Sequence, residues 1–174
     1  MFKKTSPSGR LMLAALCCFL LAGVVAASSA PSIAGRPAGP LLKVELGGVV
    51  QRGSESVSLD AAGKVNPGEV LAWRMAVSNL GDAPSPSVWS VDGDVDAATV
   101  YVPGSARADG SPAVTFSIDG GRTFSALPME TYTDGGVEKR RPAPVEAYRV
   151  VRFTWASPIS PGEVRAAHYK ARVR

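Results

Sequence analysis

The chain has 174 residues, with 19 Lys and Arg against 15 Asp and Glu, 18 Gly, 14 Pro and two Cys. Three of the basic residues fall in the first ten positions and every acidic residue comes after residue 30, so beyond that leader the balance is 16 to 15. A net charge near +1, with no basic block interleaved with aromatic residues, argues against a nucleic-acid partner.

Residues 1–30 stand apart from the rest. Lys3, Lys4 and Arg10 form a positive head, Leu11 to Ala27 is an uncharged apolar run, and Ala26-Ala27-Ser28-Ser29-Ala30 supplies small residues. This is the layout of a secretory signal peptide, predicted as a helix and cleaved between about Ala27 and Ala30. A membrane span needs roughly 20 apolar residues, and this run is shorter, so contact with the membrane is expected only if the leader is retained. Lipid attachment is disfavoured, because Leu16 and not a small residue precedes Cys17. Both cysteines, Cys17 and Cys18, lie inside the leader. The remainder, about 144 residues, must therefore fold as one domain on its core alone, without disulfides.

Residues 31–40 read as a mobile Gly/Pro linker, and 41–174 as the folded domain. Leu42 to Val50 is the first strand, with a bulge or kink expected at Gly47-Gly48. Ser54 to Leu59 is a second short piece. Val65 to Ala83 is the clearest unit: Pro67-Gly68, a run Val70 to Asn79 with Trp73, Met75 and Val77 on one face, then Gly81-Asp82. Ser87 to Val91 is a short strand, Asp92 to Asp96 a loop, and Ala98 to Val102 a strand closed by Pro103-Gly104. Val114, Phe116 and Ile118 alternate in Ala113 to Ile118, and Asp119-Gly120-Gly121 predicts a hairpin returning through Arg122 to Leu127. Pro128 to Val145 reads as a long polar loop. Ala147 to Trp155 places Val151, Phe153 and Trp155 on one face, and Glu163 to Arg174 places Ala167, Tyr169, Ala171 and Val173 together. Seven to nine short strands without a 3.6-residue period predict an all-β, Ig-like antiparallel sandwich. Its expected core comprises Trp73, Met75, Val77, Phe116, Val151, Phe153, Trp155 and Tyr169.

Several motifs occur together in order: Pro67-Gly68-Glu69 before a strand ending Ser78-Asn79-Leu80-Gly81-Asp82-Ala83, then Tyr101-Val102-Pro103-Gly104-Ser105-Ala106. Phe116-Ser-Ile-Asp-Gly-Gly-Arg-Thr-Phe124, Tyr148 to Trp155 and Pro161-Gly162-Glu163 complete the set. Over about residues 41–174 this resembles the bacterial conserved-repeat domain known as domain of unknown function eleven. The resemblance implies an Ig-like module of secreted or cell-surface proteins, with no catalytic residue to carry over. The sequence departs from that family at Asp92-Gly-Asp-Val-Asp-Ala-Ala, where an Asp-Pro-x-Pro-type loop is usual. A single module, with neither sorting motif nor membrane tail after Arg174, is expected.

Four groups of residues bear on function. Asp92, Asp94 and Asp96 alternate as hard-cation ligands can, but an EF-hand needs Gly sixth and Glu twelfth, where Ala97 and Pro103 stand. Calcium is thus a minor alternative to a solvated turn, and no other cofactor is indicated. His168, the sole histidine, has no second histidine or cysteine for zinc, and no Gly-x-Ser-x-Gly elbow accompanies it. Glu138-Lys139-Arg140-Arg141 reads as a solvated loop, with an anionic polymer as the alternative partner. Arg149, Arg152, Arg165, Lys170, Arg172 and Arg174 line the last two strands, either protecting a sheet edge or seating an acidic partner. The expected function is a non-catalytic structural or interaction module of the cell envelope or secretome, periplasmic or secreted, with a protein or envelope component as partner. The alternative is a module binding calcium or an envelope glycan, and a hydrolytic enzyme ranks third.

Overall fold

A computed structural model describes residues 38–174; the leader at 1–30 and most of the linker lie outside the described residues. In chain order the strands are β1 (Leu42–Arg52), β2 (Glu55–Ser58), β3 (Val70–Asn79), β4 (Trp89–Asp94), β5 (Thr99–Tyr101) and β6 (Arg107–Ala108). They continue with β7 (Ala113–Ser117), β8 (Met129–Asp134), β9 (Val137–Pro142), β10 (Val150–Trp155) and β11 (Val164–Val173). The first sheet runs β2-β1-β3-β11-β5, with β6 also paired on β11; the second runs β4-β10-β7, and β8-β9 is a separate hairpin. All pairings are antiparallel.

The two larger sheets share one core. Met75, Val77, Ala167 and Tyr169 from the first meet Trp89, Val91, Val151, Phe153 and Trp155 from the second. Their alternate positions point inward because a strand presents successive side chains to opposite faces. Trp89 and Trp155 stack with centroids 4.2 Å apart and planes 6° from parallel. Each indole N–H finds a carbonyl: Trp89 Nε1 donates to Ser157 O at 2.9 Å and Trp155 Nε1 to Asp109 O at 2.7 Å. Trp89, Tyr101, Tyr148 and Ile159 belong to this core although the sequence did not mark them. Trp73 and Phe116, expected inside, are only half-buried at its margins.

Several sequence expectations need correction. No bulge interrupts β1: Leu46, Gly47, Gly48 and Val49 pair one-to-one with Met75, Arg74, Trp73 and Ala72. Gly48 instead makes room, since a Cβ there would lie 2.5 Å from Leu59 Cδ1 and 2.8 Å from the Trp73 ring. The Asp119 turn forms, with Gly120 and Gly121 at φ of 72° and 89°, but residues 122–127 do not return as a strand. One bridge, Phe116 to Ser125, is all that remains of the hairpin. Asp119 draws the chain inward by accepting from the Arg122 and Thr123 amides and the Thr123 hydroxyl, and β7 pairs with β10. The supposed loop at 128–145 contains the β8-β9 hairpin, turned at Gly135 and Gly136 with φ of 59° and 81°. Strand β10 starts at Val150, after a 3₁₀ turn at Val145–Ala147. The end of the linker is held: Gly39 N–H donates to the Asp82 carboxylate and Asp82 N–H to Gly39 O.

Candidate functional site

The outward face of the first sheet carries alternate residues of β1, β3 and β11, and antiparallel register decides which of them meet. Arg74 on β3 lies directly opposite His168 on β11. His168 lies opposite Arg107 on β6. Lys170 follows two residues along β11 on the same face. Three cationic or protonatable side chains thus stand in one row across three strands, with a fourth beside them.

This row lines a concavity of about 800 Å³, bounded on one side by Ser58, Leu59 and Asp60 and on the other by Ser105 and Arg107. Like charges facing one another across a ladder are unfavourable, and the one carboxylate lining the concavity, Asp60, forms no ion pair with them. Among the described residues, Arg74, Arg107, His168 and Lys170 take part in no ion pair. Arg107 donates to the carbonyl of Ala106, and Lys170 Nζ to Gln51 Oε1 at 3.1 Å. The nearest carboxylate on β1, Glu45, is already bound to Lys43 at 2.7 Å. The Lys43 hydrogen bond holds the Glu45 carboxyl below its ordinary range, with a smaller contribution from Arg74. Such a face can hold an anion with several acceptor oxygens, since guanidinium groups offer forked donors.

The predicted site residues fall elsewhere. Asp92 and Asp94 are not in a loop but on β4, both exposed, with Gly93 buried between them. Asp92 is engaged by Arg152, whose Nε and Nη2 reach its two oxygens at 2.7 and 2.6 Å, and this pairing raises the Arg152 pKa. Asp96 follows the strand and accepts from the Ala98 amide at 2.7 Å. No group of three acidic, His or Cys side chains placed to hold a metal occurs among the described residues.

The basic residues of the last two strands do not protect an edge, because β10 and β11 are both interior strands. Most of them are committed. Arg152 pairs with Asp92 and lies over the Phe124 ring at 3.6 Å. Arg165 binds Glu163 at 2.6 Å, and that carboxyl is lowered by the Ser160 amide first and Arg165 second. Arg149 and Arg174 both donate to the Glu146 carbonyl. Only Lys170 of the set faces the concavity. Lys139 and Arg141 on β9 pair within their own hairpin, with Asp134 and Glu130. His168 is exposed, as its place on the polar face of the last strand suggests. Arg74 and Arg107 are the residues that the sequence reading missed. Arg74 is visible there as an outward residue of β3, but its meeting with His168 depends on a pairing 94 positions apart in register.

Comparison of the chain with known protein families, with curated proteins and with solved structures finds no match.

Proposed function

We propose that this chain is an exported, non-catalytic interaction module whose cationic concavity holds an anionic polymer, an acidic glycan of the cell envelope being the best-matched chemistry. The single observation that carries this reading is the Arg74–His168–Arg107 row with Lys170 beside it, facing a concavity whose lining holds one carboxylate, Asp60. A shallow sheet face suits a repeating ligand better than an enclosed small molecule. His168 lies between two guanidinium-bearing residues, and the Ser105 hydroxyl lining the same concavity is engaged by the Lys170 backbone, which supports binding over catalysis.

The Ig-like reading and the relation to domain of unknown function eleven belong to the same proposal. Their support is that the quoted motifs sit at turns: Pro67-Gly68 before β3, Pro103-Gly104 after β5, Asp119-Gly120-Gly121 after β7 and Pro161-Gly162 before β11. The layout of the two sheets resembles an immunoglobulin constant-type sandwich, with two differences of chain order. Strand β10 lies between β4 and β7 yet follows both, whereas the middle strand of the C-F-G sheet precedes one of its neighbours. The strand beside β3 is the last one, β11, whereas in that sandwich it precedes the strand paired with the third. Export rests on the residue 1–30 pattern.

The test is titration calorimetry with polygalacturonate, a polyuronate, against neutral dextran. Binding to the polyuronate is expected to weaken steeply with added salt and to fall about tenfold or more, some 1.4 kcal/mol, in Arg74→Glu/Arg107→Glu. Arg141→Glu, on the distant hairpin, should retain it. Equal binding of dextran, or equal loss in the hairpin variant, overturns the reading.

A further inference from the structure

The two sheets differ in width, and the difference leaves one flank of the core uncovered. The first sheet has β1 outside β3, while the second ends at β4. Gly93 of β4 packs over Tyr169 and Met75: a Cβ there would lie 2.4 Å from the Tyr169 ring and 3.2 Å from Met75 Cε. Strand β4 therefore covers β11 and β3, and nothing of the second sheet covers β1. Val44 and Leu46 pair with Val77 and Met75 on the core-facing side, yet they are 52% and 63% exposed. Apolar residues on an inward face that meets no partner mark a surface made to be covered.

The strand bordering this gap has a free edge. Val95 N–H donates to Arg149 O at 2.8 Å. By the alternation of an antiparallel ladder, Gly93 and Val91 then turn their backbone groups to β10, and Ser90, Asp92 and Asp94 turn theirs away. The Asp94 carbonyl accepts from the Tyr169 hydroxyl at 2.6 Å; the others face the gap. Below them lies a groove of about 350 Å³, floored by Leu71, Trp73, Met75 and Tyr169, with Val44 and Leu46 along one wall. β1 itself is open here, since β2 pairs only with Val49–Arg52.

Charge selects the occupant. On the β1 side Lys43 and Glu45 neutralise each other, and on β4 Asp92 is neutralised by Arg152. Asp94 and Asp96, at one end of the groove, have no ion-pair partner among the described residues. Arg149 and Arg174, whose backbones bond to Val95 and Ala98, turn their guanidinium groups to the Glu146 carbonyl. We infer that β4 accepts an extended segment of a partner protein as a fourth strand of the second sheet, by strand addition. Its alternate apolar side chains cover Val44, Leu46 and the half-buried Trp73, and a basic residue near its N-terminal end meets Asp94 and Asp96, because an antiparallel partner begins where β4 ends.

The probe is the blocked hexapeptide Lys-Val-Ser-Leu-Thr-Val, titrated into the full domain and followed by amide chemical shifts. Saturable shifts at Ser90, Asp92 and Leu46, with slowed exchange of the Ser90 and Asp92 amides, are expected. Replacing the peptide Lys by Glu, or the protein's Asp94 by Asn together with Asp96 by Asn, should weaken binding about tenfold. Leu46→Ser changes an exposed residue and should weaken it comparably without lowering the melting temperature. A peptide N-methylated at alternate amides should not bind. Undiminished binding of the N-methylated or Glu peptide overturns the inference, and so does the absence of saturation at millimolar Lys peptide.

Discussion

Strand β10 and the β8-β9 hairpin are built from the same ladder and contribute to the molecule in opposite ways. β10 buries Val151, Phe153 and Trp155 to 1% exposure or less between two neighbours. The hairpin leaves Val137 59% exposed, and its closest side-chain contacts are its own: Arg141 with Glu130, Lys139 with Asp134, and Arg141 over Tyr132 at 4.8 Å. Backbone hydrogen bonds are common to both, so what separates them is burial. The core strand is held by apolar surface removed from water, the hairpin by its turn and by exposed ion pairs of small individual worth.

The largest expected effect lies on the buried side. Trp155→Ala removes the ring that stacks on Trp89 and strands the Asp109 carbonyl. It should cost about 3–5 kcal/mol, enough to unfold the domain near body temperature if its stability is typical. Denaturant titration measures this, and an unchanged midpoint would sink it. Asn79→Ala comes next. Asn79 is fully buried and satisfies four backbone groups: it accepts from Leu41 and Gly81 amides and donates to Ala83 and Ile159 carbonyls. Loss of that knot should cost about 2–3 kcal/mol, because the groups left behind are shielded from water. A loss below that of an ordinary surface change would show that the corner closes without it.

The same contrast explains what could be read from the sequence. β3, β10 and β11 alternate apolar and polar residues because one face is buried, and their bounds were legible within a few positions. β8 and β9 have no apolar face, so periodicity gave no signal, and only Gly135-Gly136 marked the turn. Asp119-Gly120-Gly121 gave the opposite error. The turn is real, but Phe124 leaves the ladder to lie beneath Arg152, a long-range contact that no local pattern contains. Asp92 and Asp94 looked like loop residues because Asp and Gly suit turns; their strand is enforced by pairing with Arg152 and Val150. The cationic row was beyond reach for the same reason: its members are adjacent only through the register of β3, β11 and β6.

A smaller effect should appear in acid. Asp119 is held well below the ordinary carboxylate range, first by the Thr123 hydroxyl, then by the Thr123 amide and the Ser117 hydroxyl. A carboxyl lowered in the folded state stabilises it above its unfolded pKa, and that contribution disappears as pH falls through the folded value. Asp119→Ala should therefore melt below the parent at neutral pH, and the gap should narrow as the solution is made more acidic than about pH 4. Glu69 and Glu163 are also lowered, so the parent's own acid loss is shared. The difference between the two curves isolates Asp119, and a gap that stays constant with pH would assign its role to loop shape instead of charge.

The smallest effect should come from removing the hairpin altogether. Its base is closed by the Ala143 amide donating to the Pro128 carbonyl at 2.9 Å, so the chain ends meet there already. Replacing residues 129–142 by a short Gly-Ser link keeps Pro128 and the buried Ala143 in place. Only exposed pairs and a ladder that water can replace are lost, and a shorter loop is slightly easier to close. The expected change is within about 0.5 kcal/mol, against several for Trp155. If the truncated domain instead lost as much as Asn79→Ala, then the hairpin would be pressing Leu127 and Phe124 onto the outer face of β10, and the division between a burying sheet and a self-contained hairpin would fail.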